Sequence, residues 1–361
     1  MDKFYVVLIA HCILVFCLLQ LVHYSLLFFA AHFVERIAVS TTCLIIILIT
    51  FRFTRKWCLQ DEIDIKNKAV LITGCDSGFG YLLAQQLDKK GFKVFASCLF
   101  PCGPGASELK AILSARSKVF GLDVRKQESV LQALEFVKEN LESYELWAVV
   151  NNAGVRRGFS MELSSVQDFE DCMDVNALGL VRVTKAFLNL LKPSKGRIIN
   201  VTSICSRLPV SGIVPYTMSK HAAAGFNDCL RANLAPIGIK VISIEPTCFL
   251  TTMTEKNAIK KDLEERIIEN EEEIMKNYGK NQIENYGNFY NFLIRNISKD
   301  VHIVINDLEH AICCQYPESV YNSCPNIVQS ASLKIPTLFP SFIQDTFDSI
   351  TPYIFCKFCK L

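Results

Sequence analysis

Residues 67–252 predict an α/β fold, a doubly wound parallel sheet in three layers, preceded by an N-terminal membrane anchor. Three observations predict it. From Asn67 short apolar runs alternate with stretches of helical period, a glycine-rich turn joins the first run to the first helical stretch, and polar residues collect at the ends of the runs. Such alternation needs crossovers, because each parallel return requires a connecting helix, and the helices then cover both faces of the sheet.

The chain opens with Phe4–Val34, almost wholly apolar and interrupted by His11, Gln20, His23 and His32. It exceeds the ~20 residues that cross a bilayer, is too long for a signal-peptide core and ends at no small-residue cleavage site, so it reads as retained. After Glu35 and Arg36 a second uncharged run, Ile37–Phe51, falls slightly short of the ~17-residue minimum for a span. Two close helices in a hairpin are expected, with one span plus an interfacial helix as the alternative. Arg52, Arg55 and Lys56 follow and favour the cytosol for what comes next. Lys3 pulls the other end the same way, and only an even number of spans satisfies both. Asn296-Ile-Ser298 is a glycosylation sequon, so sugar on Asn296 would refute the cytosolic placement.

Ala69–Thr73 has strand length, Gly74, Gly78 and Gly80 form the turn, and Tyr81–Lys90 is helical. A missing Cβ lets the backbone approach a diphosphate, and a new helix offers it unpaired N–H groups and a positive end. The spacing is G-x-x-x-G-x-G behind Thr73, not the commoner G-x-G-x-x-G. A Rossmann-type nucleotide site is expected. Strands follow at Lys93–Ser97, Val119–Leu122, Leu146–Val150, Arg197–Thr202 and Lys240–Ile244. Between them lie helices at Ala106–Ala115, Glu128–Leu141, a long Phe169–Leu191, and Tyr216–Leu234. Gly74, Asp123, Asn151 with Asn152-Ala153-Gly154, Ser203 and Pro246 each fall at or just past a strand's carboxyl end, where such sheets bind ligands. Together they describe a cleft. The expected organisation is an anchor over 1–56, a dinucleotide-binding catalytic domain over 57–252, and a substrate lid with C-terminal extension over 253–361.

Composition narrows the function. The mean hydropathy of +0.25 is high for a soluble protein and agrees with an anchor. The net charge of +2, with no basic stripe on any predicted helix, excludes nucleic acid as a partner. Sixteen cysteines are scattered from Cys12 to Cys359 without the dense spacing of a secreted scaffold, and read mostly as buried free thiols. Cys356 and Cys359 form C-x-x-C, but no second pair or histidine cluster lies at ligand spacing, so no metal is expected.

Tyr216 and Lys220, four apart at the start of a helix, share one face with Cβ atoms ~5–6 Å apart. An ammonium that close is expected to pull the Tyr216 pKa below its usual ~10 and make a base usable near neutral pH. Ser203, just past a strand, has a hydroxyl that could hold a substrate oxygen. Y-x-x-x-K by itself reads far more readily as an ordinary surface pair than as a catalytic one.

Thr73-Gly-Cys-Asp-Ser-Gly-Phe-Gly80, Asn151-Asn-Ala-Gly154, Asn176 in Asp-Val-Asn, Ser203 and Tyr216-Thr-Met-Ser-Lys220, in that order, resemble the motif set of the short-chain dehydrogenase/reductase family. The match runs from about Lys68 to Thr252 and more loosely to Pro352. The Cys75–Gly80 loop, Pro104–Leu109 and the paired apolar segments are most similar to the branch holding retinol and membrane-bound hydroxysteroid dehydrogenases. The resemblance implies hydride transfer between C4 of a nicotinamide and a secondary alcohol or its ketone. Tyr216 would take the alcohol proton, Ser203 orient the oxygen, Lys220 bind the nicotinamide ribose, and Asn176 hold a water that relays the proton outward. Gly74, Asp76, Ser77, Gly78, Phe79 and Gly80 would form the phosphate loop. Asn151, Ala153 and Gly154 would wall the adenine side, Asp123 and Val124 meet the adenine ring, and Pro246 and Thr247 lie near the nicotinamide amide.

NAD is expected over NADP, because neither the glycine loop nor Cys98-Leu-Phe-Pro101 supplies a cation for a 2′-phosphate, whereas Asp76 repels one. No acid ends the second strand, so the usual ribose partner is missing. Where the family has Pro-Gly this chain has Pro246-Thr247, which suggests a tighter or shifted turn. Arg156 and Arg157 are read as a solvated loop rather than an anion site. Thr254–Tyr278, with Ile259, Leu263, Ile267, Ile274 and Met275 at helical spacing, is expected to be a lid, and the aromatic tail Leu333–Phe358 to rest on lipid. The implied partners are a hydrophobic substrate (steroid, retinoid or, alternatively, 3-hydroxybutyrate-like), the bilayer and a second copy in a homodimer. The implied setting is the endoplasmic reticulum membrane. A catalytically idle nucleotide-binding scaffold is the rival, with Thr247 its only support, and a transporter needs more spans than the two runs provide.

Overall fold

The structure, a computed structural model, describes residues 3–295 and 297–326. Asn296 and the tail with Cys356 and Cys359 lie outside them. The chain divides into two compact units, Met1–Asp61 and Glu62–Leu361.

The first unit is one helix, α1 (Lys3–Cys58), of 56 residues. Its apolar stretch, His11–Phe51, has a mean hydropathy of 2.2 and is long enough to cross a membrane. The expected hairpin break at Glu35-Arg36 does not occur. Lys3–Cys58 contains neither glycine nor proline, and two charges alone do not interrupt a ladder of i→i−4 bonds. The Thr50 hydroxyl donates back to the Ile46 carbonyl at 2.8 Å, and Thr41 and Thr42 bond preceding carbonyls likewise, so these polar groups are satisfied within the helix.

The second unit runs β1 (Lys68–Ile72), α2 (Gly78–Lys90), β2 (Lys93–Cys98), α3 (Pro104–Ile112), β3 (Lys118–Gly121), α4 (Gln127–Asn140) and β4 (Glu145–Asn151). It continues through α5 (Val166–Met173), α6 (Leu180–Leu191), β5 (Arg197–Val201), α7 (Val214–Leu234) and β6 (Lys240–Ile244). Then come α8 (Lys256–Glu269), α9 (Glu271–Asn277), α10 (Lys280–Arg295), α11 (His302–Cys313) and β7 (Val320–Tyr321). The seven strands lie in the order β3-β2-β1-β4-β5-β6-β7, all parallel. Strand order therefore reverses between β1 and β4, which opens a crevice at their carboxyl ends.

Side-chain alternation along β1 explains the three layers. Val70 and Ile72 pack with Leu83 and Leu87 of α2 and Leu308 and Ile312 of α11. Ala69 and Leu71 face the other way, onto Val130 of α4 and Val183 and Phe187 of α6. Each fully buried Leu, Ile or Phe contributes roughly 1.5–3 kcal/mol.

Three features depart from the expectation. The long helix over Phe169–Leu191 is split into α5 and α6 by a π-turn, Asp174–Gly179. There a Cβ on Gly179 would lie 2.8 Å from Val124 Cγ2, so the turn lets the chain press against the end of β3. The segment expected to be a lid is broken at Asn270 into α8 and α9, and α10 follows. Of its expected apolar stripe, Ile259, Leu263 and Ile274 are buried against Phe159 and Leu163, Ile267 partly so, while Met275 is exposed. Finally, α11 and β7 extend the sheet beyond the strands expected. The excursion that holds α8, α9 and α10 has a closed neck, because the Leu250 N–H donates to Ser298 O at 2.8 Å and the Ser298 N–H to Cys248 O at 2.9 Å.

Candidate active site

The glycine turn is built for close approach. Gly74 and Gly78 have φ of +71° and +65°, in the left-handed region that favours glycine, and a Cβ on Gly74 would sit 2.8 Å from Ala153 Cα. A Cβ on Gly80 would sit 2.5 Å from Asn152 Nδ2, so this glycine serves helix-to-loop packing instead. Thr73 joins the two loops: its Oγ1 accepts from the N–H groups of Asn152 and Ala153, both at 3.0 Å. Ser77 is the N-cap of α2, yet its hydroxyl caps nothing and instead bonds the Thr252 hydroxyl at 2.7 Å. No acid stands in the first turn of α2, so the N–H groups of that turn remain available to an anion. Phe79 meets Phe249 edge to face, with centroids 6.2 Å apart. These residues fit a dinucleotide diphosphate.

Asp76 sits where sequence reading found no acid. Its carboxylate accepts from the N–H groups of Leu99 at 2.8 Å and Phe100 at 2.9 Å, immediately after β2. The glycine loop therefore supplies the negative charge that β2 itself lacks, beside the place where an adenosine ribose lies in this kind of sheet.

Ser203 lies two residues past β5, and Tyr216 and Lys220 lie on the first turns of α7. Lys220 Nζ is 5.6 Å from the Tyr216 ring centroid, donates to Val201 O at 3.0 Å, and lies 3.7 Å from where a Cβ of Gly154 would be. Ser203, Tyr216, Lys220 and the Asn-Ala-Gly turn thus form one cluster at the carboxyl end of the sheet. Burial lowers the Lys220 pKa to about 8. Burial also pushes the Tyr216 phenol above its ordinary range, outweighing the Ser203 hydrogen bond that lowers it. The expectation that the amine would leave Tyr216 acidic is corrected: desolvation by burial dominates and raises the phenol's pKa. Cys205 and Cys248 flank the phenol as neutral thiols, the latter raised to about 11 by burial.

Other expected contacts are placed differently. The Asn176 amide is bonded within the protein: Nδ2 donates to Val155 O at 2.8 Å and Ser219 Oγ at 2.9 Å, while Oδ1 accepts from the Val155 N–H at 2.8 Å. It positions the turn after Gly154, and Ser219, whose hydroxyl donates to Tyr216 O at 2.7 Å, joins it to the helix of the cluster. No motif marks Ser219 in the sequence. Asn151 lies in a buried chain, its Nδ2 donating to Thr184 Oγ1 and Asn200 Oδ1 between strands rather than into the cleft. The Asp123 carboxylate is held by Arg125 Nε at 2.9 Å and Nη2 at 2.8 Å, and the Val124 side chain faces the core. Only the backbone of this pair remains for an adenine.

The Pro246-Thr247 turn is not distorted. Pro246 O accepts from the Ile204 N–H at 2.9 Å, the Thr247 N–H donates to Ser323 O at 3.0 Å, and positive φ among the described non-glycine residues occurs only at Asn67, Glu142 and Lys195. The idle-scaffold rival thereby loses its one support. Arg157 is solvated as expected, but Arg156 is half-buried over the Phe159 ring, 5.1 Å from its centroid. Helix α8 is fastened to the domain by Arg266, whose Nη1 and Nη2 bond the two oxygens of Asp168 at 2.8 and 3.0 Å.

A family model described as short chain dehydrogenase matches residues 68–262. The chain is 39% identical over 266 residues to estradiol 17-beta-dehydrogenase 2 of Rattus norvegicus, covering 73% of this chain and 70% of that one. It is 39% identical over 265 residues to Homo sapiens 17-beta-hydroxysteroid dehydrogenase type 2, covering 73% and 68%. To Homo sapiens retinol dehydrogenase 16 it is 38% identical over 260 residues, covering 72% and 81%. A short-chain dehydrogenase structure from Streptomyces avermitilis superposes with a TM-score of 0.60 at 19% identity, over 79% of this chain and 98% of that one, and supports the fold.

Proposed function

The chain belongs to the short-chain dehydrogenase family, among oxidoreductases of the steroid and retinol dehydrogenase class, and on that premise we propose that it interconverts a hydrophobic secondary or allylic alcohol and its carbonyl with NAD. The observation that carries this reading is the convergence of Ser203 and Lys220, both buried, with the partly exposed Tyr216 beside Gly154 and the glycine loop. NAD, when bound, supplies the hydride acceptor. In oxidation the Tyr216 oxygen takes the alcohol proton, and the Ser203 hydroxyl holds the substrate oxygen in line with it. Burial raises the Tyr216 pKa with Lys220 already in place, so the basic form needs further positive charge beside it, which the oxidised nicotinamide ring would add, when bound, to the Lys220 ammonium present below pH about 8. Asn176 and Ser219 hold the turn and the helix in register, so the reacting groups need little reorganisation.

Asp76 supports NAD rather than NADP, because a 2′-phosphate would meet a fixed carboxylate whereas a 2′-hydroxyl can donate to it. The length and hydropathy of α1 support a membrane anchor, and Arg52, Arg55 and Lys56 support a cytosolic catalytic unit. The test is membranes bearing the full chain, given NAD with steroid alcohols, retinols and 3-hydroxybutyrate, with formation of the reduced cofactor read by absorbance. Tyr216→Phe is expected to keep NAD binding and lose turnover by roughly 10²–10⁴-fold. Undiminished turnover in that variant sinks the assignment.

A further inference from the structure

Arg156 has more hydrogen-bonding capacity than the protein uses. A guanidinium carries five N–H donors and stays charged at any physiological pH. One of them reaches the Gly158 carbonyl at a long 3.3 Å, while Nε is shielded from solvent with no partner. Among the described residues no carboxylate lies within 4.0 Å of it. Asp262, whose charge acts on Arg156 through space, is already bonded by Arg266 Nε at 2.8 Å. A buried donor left unpaired is a cost that a suitable acceptor would relieve.

Position gives that acceptor its meaning. Arg156 follows Val155, which Asn176 grips at both its N–H and its carbonyl, and stands two residues past Gly154. Its backbone is therefore fixed relative to the reacting groups. The loop that carries it borders the reacting groups through Gly154, where a Cβ would lie 3.7 Å from Lys220 Nζ. Phe159 packs beneath the Arg156 guanidinium at 5.1 Å and also beneath Arg266 at 5.9 Å, giving the cation an apolar floor.

We infer that Arg156 is a specificity-determining residue that binds a carboxylate carried within a few bonds of the reacting hydroxyl, so that the preferred substrate is a hydrophobic hydroxy acid. This rests on the alcohol dehydrogenase reading above and narrows its substrate class. A charge-assisted guanidinium–carboxylate contact in a shielded site changes affinity roughly 10- to 100-fold.

The experiment compares 3-hydroxydodecanoate with its methyl ester, and both with a neutral 17-hydroxysteroid, using the full chain in membranes with NAD. In the unaltered protein kcat/KM for the acid is expected to exceed that for the ester by at least roughly 10-fold. In Arg156→Leu the two should converge through KM, in Arg156→Lys part of the preference should survive, and the steroid rate should stay within about twofold in both variants. The same acid-to-ester ratio in Arg156→Leu as in the unaltered protein overturns the inference. So does an equal fall for acid and steroid, which marks a packing role, and so does an acid neither turned over nor bound. If no alcohol at all is oxidised, the dehydrogenase reading fails, and the inference is then read from thermal shifts. Stabilisation by the acid and not the ester, lost in Arg156→Leu, upholds it, and equal stabilisation of both proteins refutes it.

Discussion

Replacing Asp76 by Asn tests the cofactor argument and the loop geometry at once. The carboxylate is fixed by two backbone N–H groups, at 2.8 and 2.9 Å, so its charge cannot swing away from an incoming phosphate. Two unit charges about 4 Å apart interact by ~1 kcal/mol in water and ~4 kcal/mol at the effective dielectric of a protein surface. A half-exposed site lies between these limits. Removing the charge should therefore favour NADP over NAD by about 2 kcal/mol, roughly a 30-fold change in the ratio of kcat/KM values. The change is not isosteric in hydrogen bonding. One amide oxygen can accept from only one side, so the new NH₂ faces either the Leu99 or the Phe100 N–H, at a cost of about 1–3 kcal/mol in stability. The assay is steady-state oxidation of one alcohol with each cofactor at two ionic strengths, beside a thermal melt. In the unaltered protein the preference for NAD should shrink as salt rises. A cofactor ratio within twofold of the unaltered protein's, in a variant that melts as a folded protein, would refute the claim that this charge selects the cofactor.

Further outcomes follow from the same geometry. Thr73→Val keeps shape but strips the shared acceptor from the Asn152 and Ala153 N–H groups, and should lower stability by about 2–4 kcal/mol, read from denaturant midpoints at unchanged slope. Lys220 has a folded pKa of about 8, below its unfolded value, so the folded state binds fewer protons between the two. Its contribution to stability should accordingly rise with pH across that window, whereas NAD affinity should fall above pH about 8, and Lys220→Met should flatten both profiles. Asp168 is held below the usual carboxylate range by hydrogen bonds to Arg266 and Ser165 that outweigh its burial. Its contribution, present above the unfolded pKa, is lost as pH falls through the lower folded one. Arg266→Met should raise KM for a hydrophobic alcohol several-fold while leaving NAD affinity unchanged, and equal losses in both would show that the lid is not what it fastens.

What could be read from sequence was what lives in local pattern. The runs Ala69–Thr73 and Leu146–Val150, the glycines at 74 and 78, and the Tyr216–Lys220 pair needed only period, φ preference and spacing, and they lie where the pattern puts them. The π-turn at Asp174–Gly179 escaped because one extra residue in a helix leaves apolar periodicity almost intact. The Asp76 contact escaped because two segments more than twenty residues apart make it. Arg156 was misjudged for the opposite reason: two adjacent arginines look like solvent-loving residues until Val155 is seen to be clamped on both sides. The α11 helix did have a signal, Val304, Ile305, Leu308, Ala311 and Ile312 at helical spacing, whereas β7, two residues long, had none. No break marks Lys3–Cys58, and the hairpin expectation failed because charge was asked to do the work of glycine or proline.

The pairing of Leu250 with Ser298 carries its own implication. Some fifty residues depart from and rejoin the frame at adjacent points, like a bag drawn shut by its string. Its contents can vary in length, shape or oiliness across descendants of one ancestor while Ser203, Tyr216 and Lys220 feel no pull. New substrates can thus be adopted by rewriting a single sealed excursion, with the proton-handling machinery inherited unchanged.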